Sequence, residues 1–199
     1  MMMNDMLKKY NNSSLKDTSK DKKEYMTNSE KIKVINFDNL SKKGYSKTLR
    51  LKGQSFPFKT NDALYLDVEN NKFIFIEFKN GSFSVNEKNF KEKELPQLEL
   101  KIIGSMYILQ EITGKSFKEL REITDYILVY NKEKNPHIFS AVDMGNYIVN
   151  LGTLNNKKIR NLKEGISFGL EKFKGYCFKN VHTYSKEEFE EKFVKKMEN

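Results

Sequence analysis

Three residues near the middle of the chain have the types and spacing of a hydrolytic metal site: Asp62, Glu77 and Lys79. Two neighbouring carboxylates provide the hard oxygen ligands that Mg²⁺ or Mn²⁺ prefers. A cation held by them lowers the pKa of a bound water and offsets negative charge on a phosphate. Because a lysine beside the cation can orient that water, the three residues predict metal-dependent phosphodiester hydrolysis.

A β-hairpin is the element that must bring these residues together. Residues 62–68 and 72–79 both have strand composition, and a short polar turn separates them. The second strand is apolar on both faces apart from Glu77 and its ends, which is typical of a strand covered on both sides. We therefore expect it to be central in the sheet.

The pairing register of this hairpin decides how the three groups meet. Side chains alternate along a strand, so Glu77 and Lys79 point to the same face. If Val68 pairs with Phe73, Asp62 falls opposite Lys79, whereas a slip of two residues places it opposite Glu77. Both registers cluster the three side chains, and Asp67, near the turn, is left out of the site.

The alternative to a metal site is a cross-strand ion pair on a solvated sheet face, which would contribute little to stability. The apolar neighbours argue against it. Charges on a central strand that is otherwise Phe and Ile are costly to desolvate unless they serve a metal or a substrate. We therefore favour the functional interpretation.

The other predicted elements give an α/β (α+β) class with a central mixed β-sheet flanked by helices. Further strands are expected at 31–37, 47–52 and 125–130, and a helix at 96–113 should end at Gly114. Capping boxes begin helices after Ser116 and after Ser185, the second of which should end near Met197. Residues 1–30 are polar and predict a flexible N-terminal tail, which leaves 31–199 as a single domain.

Composition limits the classes of function and of partner. The formal charge of +9 favours a polyanionic partner, with nucleic acid first. A single cysteine and an N-terminus without an apolar run predict a cytoplasmic protein, and no stretch is apolar enough to enter a membrane. The sequence has neither a Walker motif nor a Rossmann fingerprint, so an ATP-driven or redox enzyme is disfavoured.

Asp62 followed by Glu77-Phe78-Lys79 in an apolar strand, then a helix and another strand, resembles the PD-(D/E)xK nuclease superfamily. The resemblance covers roughly residues 46–131 and implies a restriction-endonuclease-like core. It also implies Mg²⁺ or Mn²⁺ held by Asp62, Glu77 and the main-chain carbonyl of Phe78, with Lys79 positioning the water. The residue before Asp62 is Asn61 rather than the proline of the motif name.

The helix after the hairpin is the next place to look for site residues. Some members of the superfamily carry Gln-x-x-x-Tyr there, whereas this chain has Gln97 and Lys101 at the corresponding spacing and lacks the tyrosine. A polar stripe on this helix either lines the cleft or is simply its solvated edge: Glu94, Gln97, Lys101 and Ser105. Glu24 and Glu30 are both open candidates for an acid supplied from the N-terminal side.

Basic residues on both sides of the hairpin are candidate phosphate contacts, although charge runs are often only solvated faces. Together with the helix, they give seven candidate substrate-binding residues: Gln97, Lys101, Lys59, Arg50, Lys157, Lys158 and Arg160. DNA is favoured over RNA as the partner, and a homodimer is compatible with the family resemblance.

The histidines and the cysteine do not suggest a competing chemistry. His137 and His182 are isolated from the companion ligands of a zinc site, and Cys177 between aromatic residues is expected to be buried. The alternative to a nuclease is therefore a non-catalytic nucleic-acid- or protein-binding module that retains the nuclease fold. A toxin or defence role is also compatible with a small basic nuclease.

Overall fold

The computed structural model describes residues 5–21, 23–49, 58–83, 95–135 and 168–198. Its strands are β1 (Ser13–Ser14), β2 (Lys20–Asp21), β3 (Glu24–Tyr25), β4 (Lys33–Asn36), β5 (Ala63–Asp67), β6 (Lys72–Lys79), β7 (Thr124–Tyr130) and β8 (Asn180–Ser185). Six of them form one mixed sheet in the order β1-β4-β5-β6-β7-β8, and β2 and β3 form a separate two-stranded sheet.

Strand β6 is central in the large sheet, as its two apolar faces predict. It pairs antiparallel with β5 on one side and parallel with β7 on the other, and β7 continues in parallel to β8. Strand β4, which lies within the predicted segment 31–37, pairs antiparallel with β5. The sheet is therefore mixed, and the hairpin of β5 and β6 lies inside it.

The hairpin adopts the second of the two predicted registers. Ala63 pairs with Ile76 and Asp67 with Lys72, so the continuation of the pairing places Asp62 opposite Glu77. The structure thereby puts the two carboxylates side by side at the end of the hairpin that is remote from the turn.

Helices cover both faces of the sheet. They are α1 (Asp5–Tyr10), α2 (Leu15–Thr18), α3 (Phe37–Asn39), α4 (Ser46–Thr48), α5 (Leu95–Thr113), α6 (Phe117–Ile123), α7 (Lys186–Phe189) and α8 (Lys195–Glu198), with π-helical turns at Leu40–Tyr45 and Glu190–Val194 and a 3₁₀ turn at Leu170–Phe173. The capping boxes at Ser116 and Ser185 are both present, and Gly114 follows α5 with φ of +66°. These three helix boundaries confirm the prediction from the sequence.

Two hydrophobic clusters lie on opposite faces of the sheet. On one face, Ile102 and Met106 of α5 pack in a cluster with Phe73 and Phe75 of β6. On the other face, the C-terminal helical segment packs Phe189 and its neighbours in a cluster with Ile74 and Ile76. The alternation of β6 thus turns Glu77 and Lys79 toward the α5 side.

The predicted strand at 47–52 is wrong in its described part. Ser46–Thr48 is helical and continues the π-helical turn that begins at Leu40, and Leu49 is 40% exposed. Two alternating leucines produce the strand pattern, but the preceding helical turn buries Tyr45 and the chain stays helical as far as Thr48. Residues 50–52 lie outside the described residues.

The N-terminal segment differs from the loose tail that its composition predicts. Strand β1 pairs with β4 at the sheet edge, and Leu7, Leu15 and Met26 are each at most 1% exposed. The Leu15 N–H also donates to the Ile32 carbonyl at 3.0 Å. A few well-placed apolar side chains and edge pairing order this segment, although its average composition is polar.

Candidate active site

Asp62 lies immediately before β5 and is held by both the sheet and α5. Its main-chain carbonyl accepts a hydrogen bond from the Phe37 N–H at 3.0 Å, and its Oδ2 accepts one from the Phe78 N–H at 2.8 Å. The N–H of the preceding Asn61 donates to Ser105 Oγ on α5 at 2.8 Å. These contacts fix the carboxylate at the open end of the hairpin.

Glu77 is the most enclosed charged side chain of the site, with only 2% of the residue exposed. Its Oε1 accepts a hydrogen bond from Lys101 Nζ at 2.5 Å. Its Oε2 is buried and has no hydrogen-bond partner among the residues that the structure describes. A buried carboxylate oxygen without a hydrogen-bond partner destabilises the folded chain unless a further positive group binds it.

Lys101 places its ammonium group between the two acids. In addition to the contact with Glu77, its Nζ lies 3.3 Å from Asp62 Oδ1, and the side chain is 27% exposed. The residue comes from α5, where it lies one turn after Gln97 and one turn before Ser105. The hairpin sequence alone gives no sign of this pairing, because it depends on how α5 crosses the sheet.

Lys79 shares the face of Glu77, as predicted, but points elsewhere. Its Nζ lies 5.8 Å from the centre of the Phe83 ring. Within the described ranges, the ion pairs to Asp62 and Glu77 both come from Lys101. Lys79 is thus a neighbouring positive charge rather than a direct partner of the acids.

The main-chain carbonyl of Phe78 is directed toward the Asp62 side of β6. Alternate residues of a paired strand direct their N–H and C=O groups to opposite neighbours. The carbonyl of Lys79 accepts from the Asn131 N–H beyond β7, and the Phe78 N–H donates to Asp62. The carbonyl of Phe78 therefore lies on the same side as the Asp62 carboxylate, where the resemblance requires a third oxygen.

The electrostatics of the site oppose ionisation of its acids. Burial raises the pKa of Glu77 to about 8, the Asp62 carboxylate adds to the rise, and Lys101 opposes it. Burial also raises the pKa of Asp62, against Lys101 and the Phe78 N–H. Burial alone would lower the pKa of Lys101, but the two carboxylates outweigh that effect and raise it. Both shifts favour the protonated form of each acid, and a cation bound between them would oppose that effect.

A cavity of about 300 Å³ opens beside Glu77. Glu77, Lys79, Gln97 and Lys101 all contribute to its walls, so part of the polar stripe on α5 does line a cleft. The remaining walls come from Asp21, Phe78, Asn80, Gly81, Phe83 and Leu98. A small anionic group in this cavity could thus contact both lysines beside Glu77.

The remaining predicted substrate-binding residues are only partly described. Lys59 donates to the Gln97 side chain, which joins the segment before β5 to the start of α5. The other four lie outside the described residues: Arg50, Lys157, Lys158 and Arg160.

The two open candidates for an N-terminal acid occupy different places. Glu24 Oε2 accepts from Asn80 Nδ2 at 2.6 Å and from Lys134 Nζ at 2.7 Å, next to the end of β6. Glu30 instead pairs with Lys16 at 2.6 Å, and Asp21 is the N-terminal acid that reaches the cavity wall. Among the described residues, no three His, Cys, Asp or Glu side chains form a metal-binding group.

Tyr126 is a site neighbour that sequence reasoning missed. Its hydroxyl is buried without a hydrogen-bond partner among described residues, and burial together with the charges of Glu77 and Asp62 raises its pKa. Strand alternation could have indicated it, because Tyr126 pairs with Phe75 and so shares the face of Glu77.

The remaining candidate residues do not enter this site. His182 lies on β8 and stacks on Tyr184 with ring centres 5.4 Å apart, and burial lowers the pKa of its imidazole. Cys177 is buried, which raises the pKa of its thiol to about 11 and leaves it a poor nucleophile. His137 lies outside the described residues.

The donor set fits a divalent cation with one condition. Two carboxylates and the Phe78 carbonyl supply oxygen ligands, and Glu77 Oε2 is an acceptor that no described residue satisfies. The Lys101 ammonium shows that the acids accept a positive charge in this position. A metal would bind the same oxygens, so Lys101 would have to move away from them or share them.

No helix in the described part of the chain is long and apolar enough to span a membrane.

No protein-family model matches the chain, and comparisons with curated proteins and with solved structures also give no significant match.

Proposed function

We propose that this chain is a metal-dependent nuclease with a restriction-endonuclease-like core, and that Asp62 and Glu77 hold a Mg²⁺ or Mn²⁺ ion. The observation that carries the proposal is the pairing of these two acids around one positive charge at the end of the hairpin. When bound, the cation would supply an activated water and offset charge on the phosphate.

The protein residues have separate roles in this proposal. Asp62 and Glu77 provide fixed oxygens, and the Phe78 carbonyl lies on the side of Asp62. Lys79 lies on the face of Glu77 and in the cavity wall, and we assign to it the orientation of the attacking water and the attraction of the scissile phosphate. Gln97 in the same wall can contact the sugar-phosphate backbone of a bound strand.

Nucleic acid is the proposed substrate, with DNA ahead of RNA. The net charge of +9 attracts a polyanion over long distances, which favours association with a phosphate backbone. The positive residues in the cavity wall, Lys79 and Lys101, place part of that charge at the acids themselves.

One observation favours a second candidate, a binding module that retains the fold without turnover. Lys101 already contacts both acids, so the cluster can persist as a partly buried ion network without a metal. In that case the basic surface would bind nucleic acid and the hairpin would be purely structural.

A cleavage assay separates the two candidates. Supercoiled plasmid, linear DNA and single-stranded RNA are incubated with the wild type in Mg²⁺, Mn²⁺ or EDTA. Asp62→Asn, Glu77→Gln and Lys79→Met should each reduce metal-dependent cleavage by about a hundredfold or more, since each removes several kcal/mol of transition-state stabilisation.

Matched controls come from the turn end of the same hairpin. Asp67→Asn and Lys72→Met change the same residue types on the same two strands but far from the site, so cleavage should persist. Absence of cleavage in every metal, with nucleic-acid binding unchanged in the Glu77 variant, would support the binding module instead.

A further inference from the structure

The position of Lys101 between the two acids is fixed by the helix that carries it. Helix α5 approaches the segment before β5 closely, since a Cβ added at Gly104 would lie 2.3 Å from the Lys59 carbonyl oxygen. The hydrogen bond from the Asn61 N–H to Ser105 Oγ ties the helix to the residue before Asp62. The ammonium group is therefore presented to the acids by a rigid element.

This ammonium contacts both acids in the metal-free site. It contacts Glu77 Oε1 at 2.5 Å and Asp62 Oδ1 at 3.3 Å, and only Glu77 Oε2 remains buried without a partner in the described chain. A divalent cation on the same carboxylates would lie close to Nζ. The repulsion between the two positive charges is strong in such an enclosed place.

We infer that Lys101 is an internal competitor for the cation, and that it sets the affinity of the site for divalent metal. This inference rests on the proposed function of the acids. Cation binding then requires the ammonium to leave the carboxylates for the adjoining cavity, whose walls include Lys79 and Gln97. A phosphate group in that cavity would accept hydrogen bonds from the displaced ammonium group of Lys101. An anionic substrate should therefore favour the metal-loaded state.

The test is Mn²⁺ binding to the full chain, measured by titration calorimetry and by thermal unfolding in EDTA and in Mn²⁺. Lys101→Gln should bind Mn²⁺ about tenfold or more tightly than the wild type, because the competing charge is removed. Without metal it should melt at a lower temperature, because the buried Glu77 and the partly buried Asp62 lose their counter-charge, and Mn²⁺ should restore most of the difference.

Three further variants make the result specific. Lys101→Arg keeps the positive charge and should bind Mn²⁺ within about threefold of the wild type, since the repulsion persists. Lys172→Gln removes a lysine that pairs with Glu99 on the exposed part of α5 and should change neither quantity. Glu77→Gln should abolish tight binding in the wild-type and Lys101→Gln backgrounds alike.

The outcomes separate this inference from the proposed function. Equal or weaker Mn²⁺ binding by Lys101→Gln, with binding still lost in Glu77→Gln, would overturn the competitor role and leave the metal site in place. If neither the wild type nor Lys101→Gln binds Mn²⁺, the metal site itself is wrong and the inference falls with it.

Discussion

Glu77 combines near-complete burial, a charged neighbour of the same sign and an oxygen without a described partner. The stability of the fold does not explain a glutamate at this position, because an apolar residue in this central strand would avoid the cost of desolvation. A residue that makes the fold less stable but assembles a charged site is expected where function requires it. Lys101 reduces that cost without removing it, since the pKa of Glu77 remains raised.

The raised pKa of Glu77 predicts how stability varies with pH in the absence of metal. A carboxyl whose pKa is about 8 in the folded chain, against 4.5 as its ordinary value, favours folding while it is protonated. That contribution is complete below the ordinary pKa and is lost as the pH rises through the folded value. Between pH 5 and pH 8 the wild type should therefore lose more than about 1 kcal/mol relative to Glu77→Gln.

Urea unfolding in EDTA at several pH values measures this difference. The Glu77→Gln variant corrects for all other titrating groups, so only the gap between the two curves is informative. Parallel curves would mean that Glu77 is already ionised in the metal-free protein. Excess Mn²⁺ should close or reverse the gap, because the cation stabilises the ionised form.

At the scale of elements, the site depends on the contact between α5 and the chain leading into β5. The absence of a side chain at Gly104 permits this contact, and Ser105 adds a hydrogen bond to the Asn61 N–H. The helix thus fixes both its own Lys101 and the backbone next to Asp62. A change in the spacing between α5 and the chain leading into β5 should therefore move Lys101 and the backbone next to Asp62 together.

Gly104→Ala should destabilise the protein although alanine is normally the better helix residue. Propensity alone would favour alanine by about 1 kcal/mol, but the added Cβ would overlap the Lys59 carbonyl oxygen at 2.3 Å. Backbone atoms must move to relieve that overlap, at a net cost of about 1–3 kcal/mol.

Thermal and urea unfolding measure the effect, with Leu100→Ala as the control on the exposed face of the same helix. Leu100 is 54% exposed, so its truncation should matter little. Greater stability of Gly104→Ala would show that α5 can move away from the hairpin freely, contrary to a rigid presentation of Lys101.

The sequence predicted these elements unevenly, for physical reasons. The hairpin, α5 and the two capping boxes carry strong local signals, namely strand composition, a polar turn and cap residues. The sequence does not decide between the two registers, because a slip of two residues keeps every side chain on the same face. The pairing of Lys101 with Asp62 and Glu77 depends on how α5 crosses the sheet, which residue spacing does not encode.

At the scale of the molecule, the N-terminal segment extends the sheet and lies near the site. Strand β1 pairs with β4 at the sheet edge, and Glu24 accepts hydrogen bonds from Asn80 and Lys134 at the ends of the neighbouring strands. The average polarity of this segment predicted a loose tail, because a mean over thirty residues conceals a few buried apolar side chains. Its packing makes it part of the body that shapes the cavity.

Leu15→Ala tests whether the segment contributes to stability. Leu15 is fully buried in the cluster that also contains Val34 and Phe189, so truncation should cost about 2–5 kcal/mol. The control is Leu49→Ala, because Leu49 is 40% exposed and should tolerate truncation. Equal unfolding midpoints for the two variants would show that the N-terminal segment is only a loosely attached tail.

The most direct test of the central claim is a crystal structure of the protein soaked in Mn²⁺, with anomalous scattering used to locate the ion. We predict an anomalous peak in contact with the carboxylates of Asp62 and Glu77 and close to the Phe78 carbonyl, with the Lys101 ammonium displaced toward the cavity. No peak at the two acids, with Lys101 still bridging them at millimolar Mn²⁺, would contradict a metal site and leave the cluster as a structural ion network.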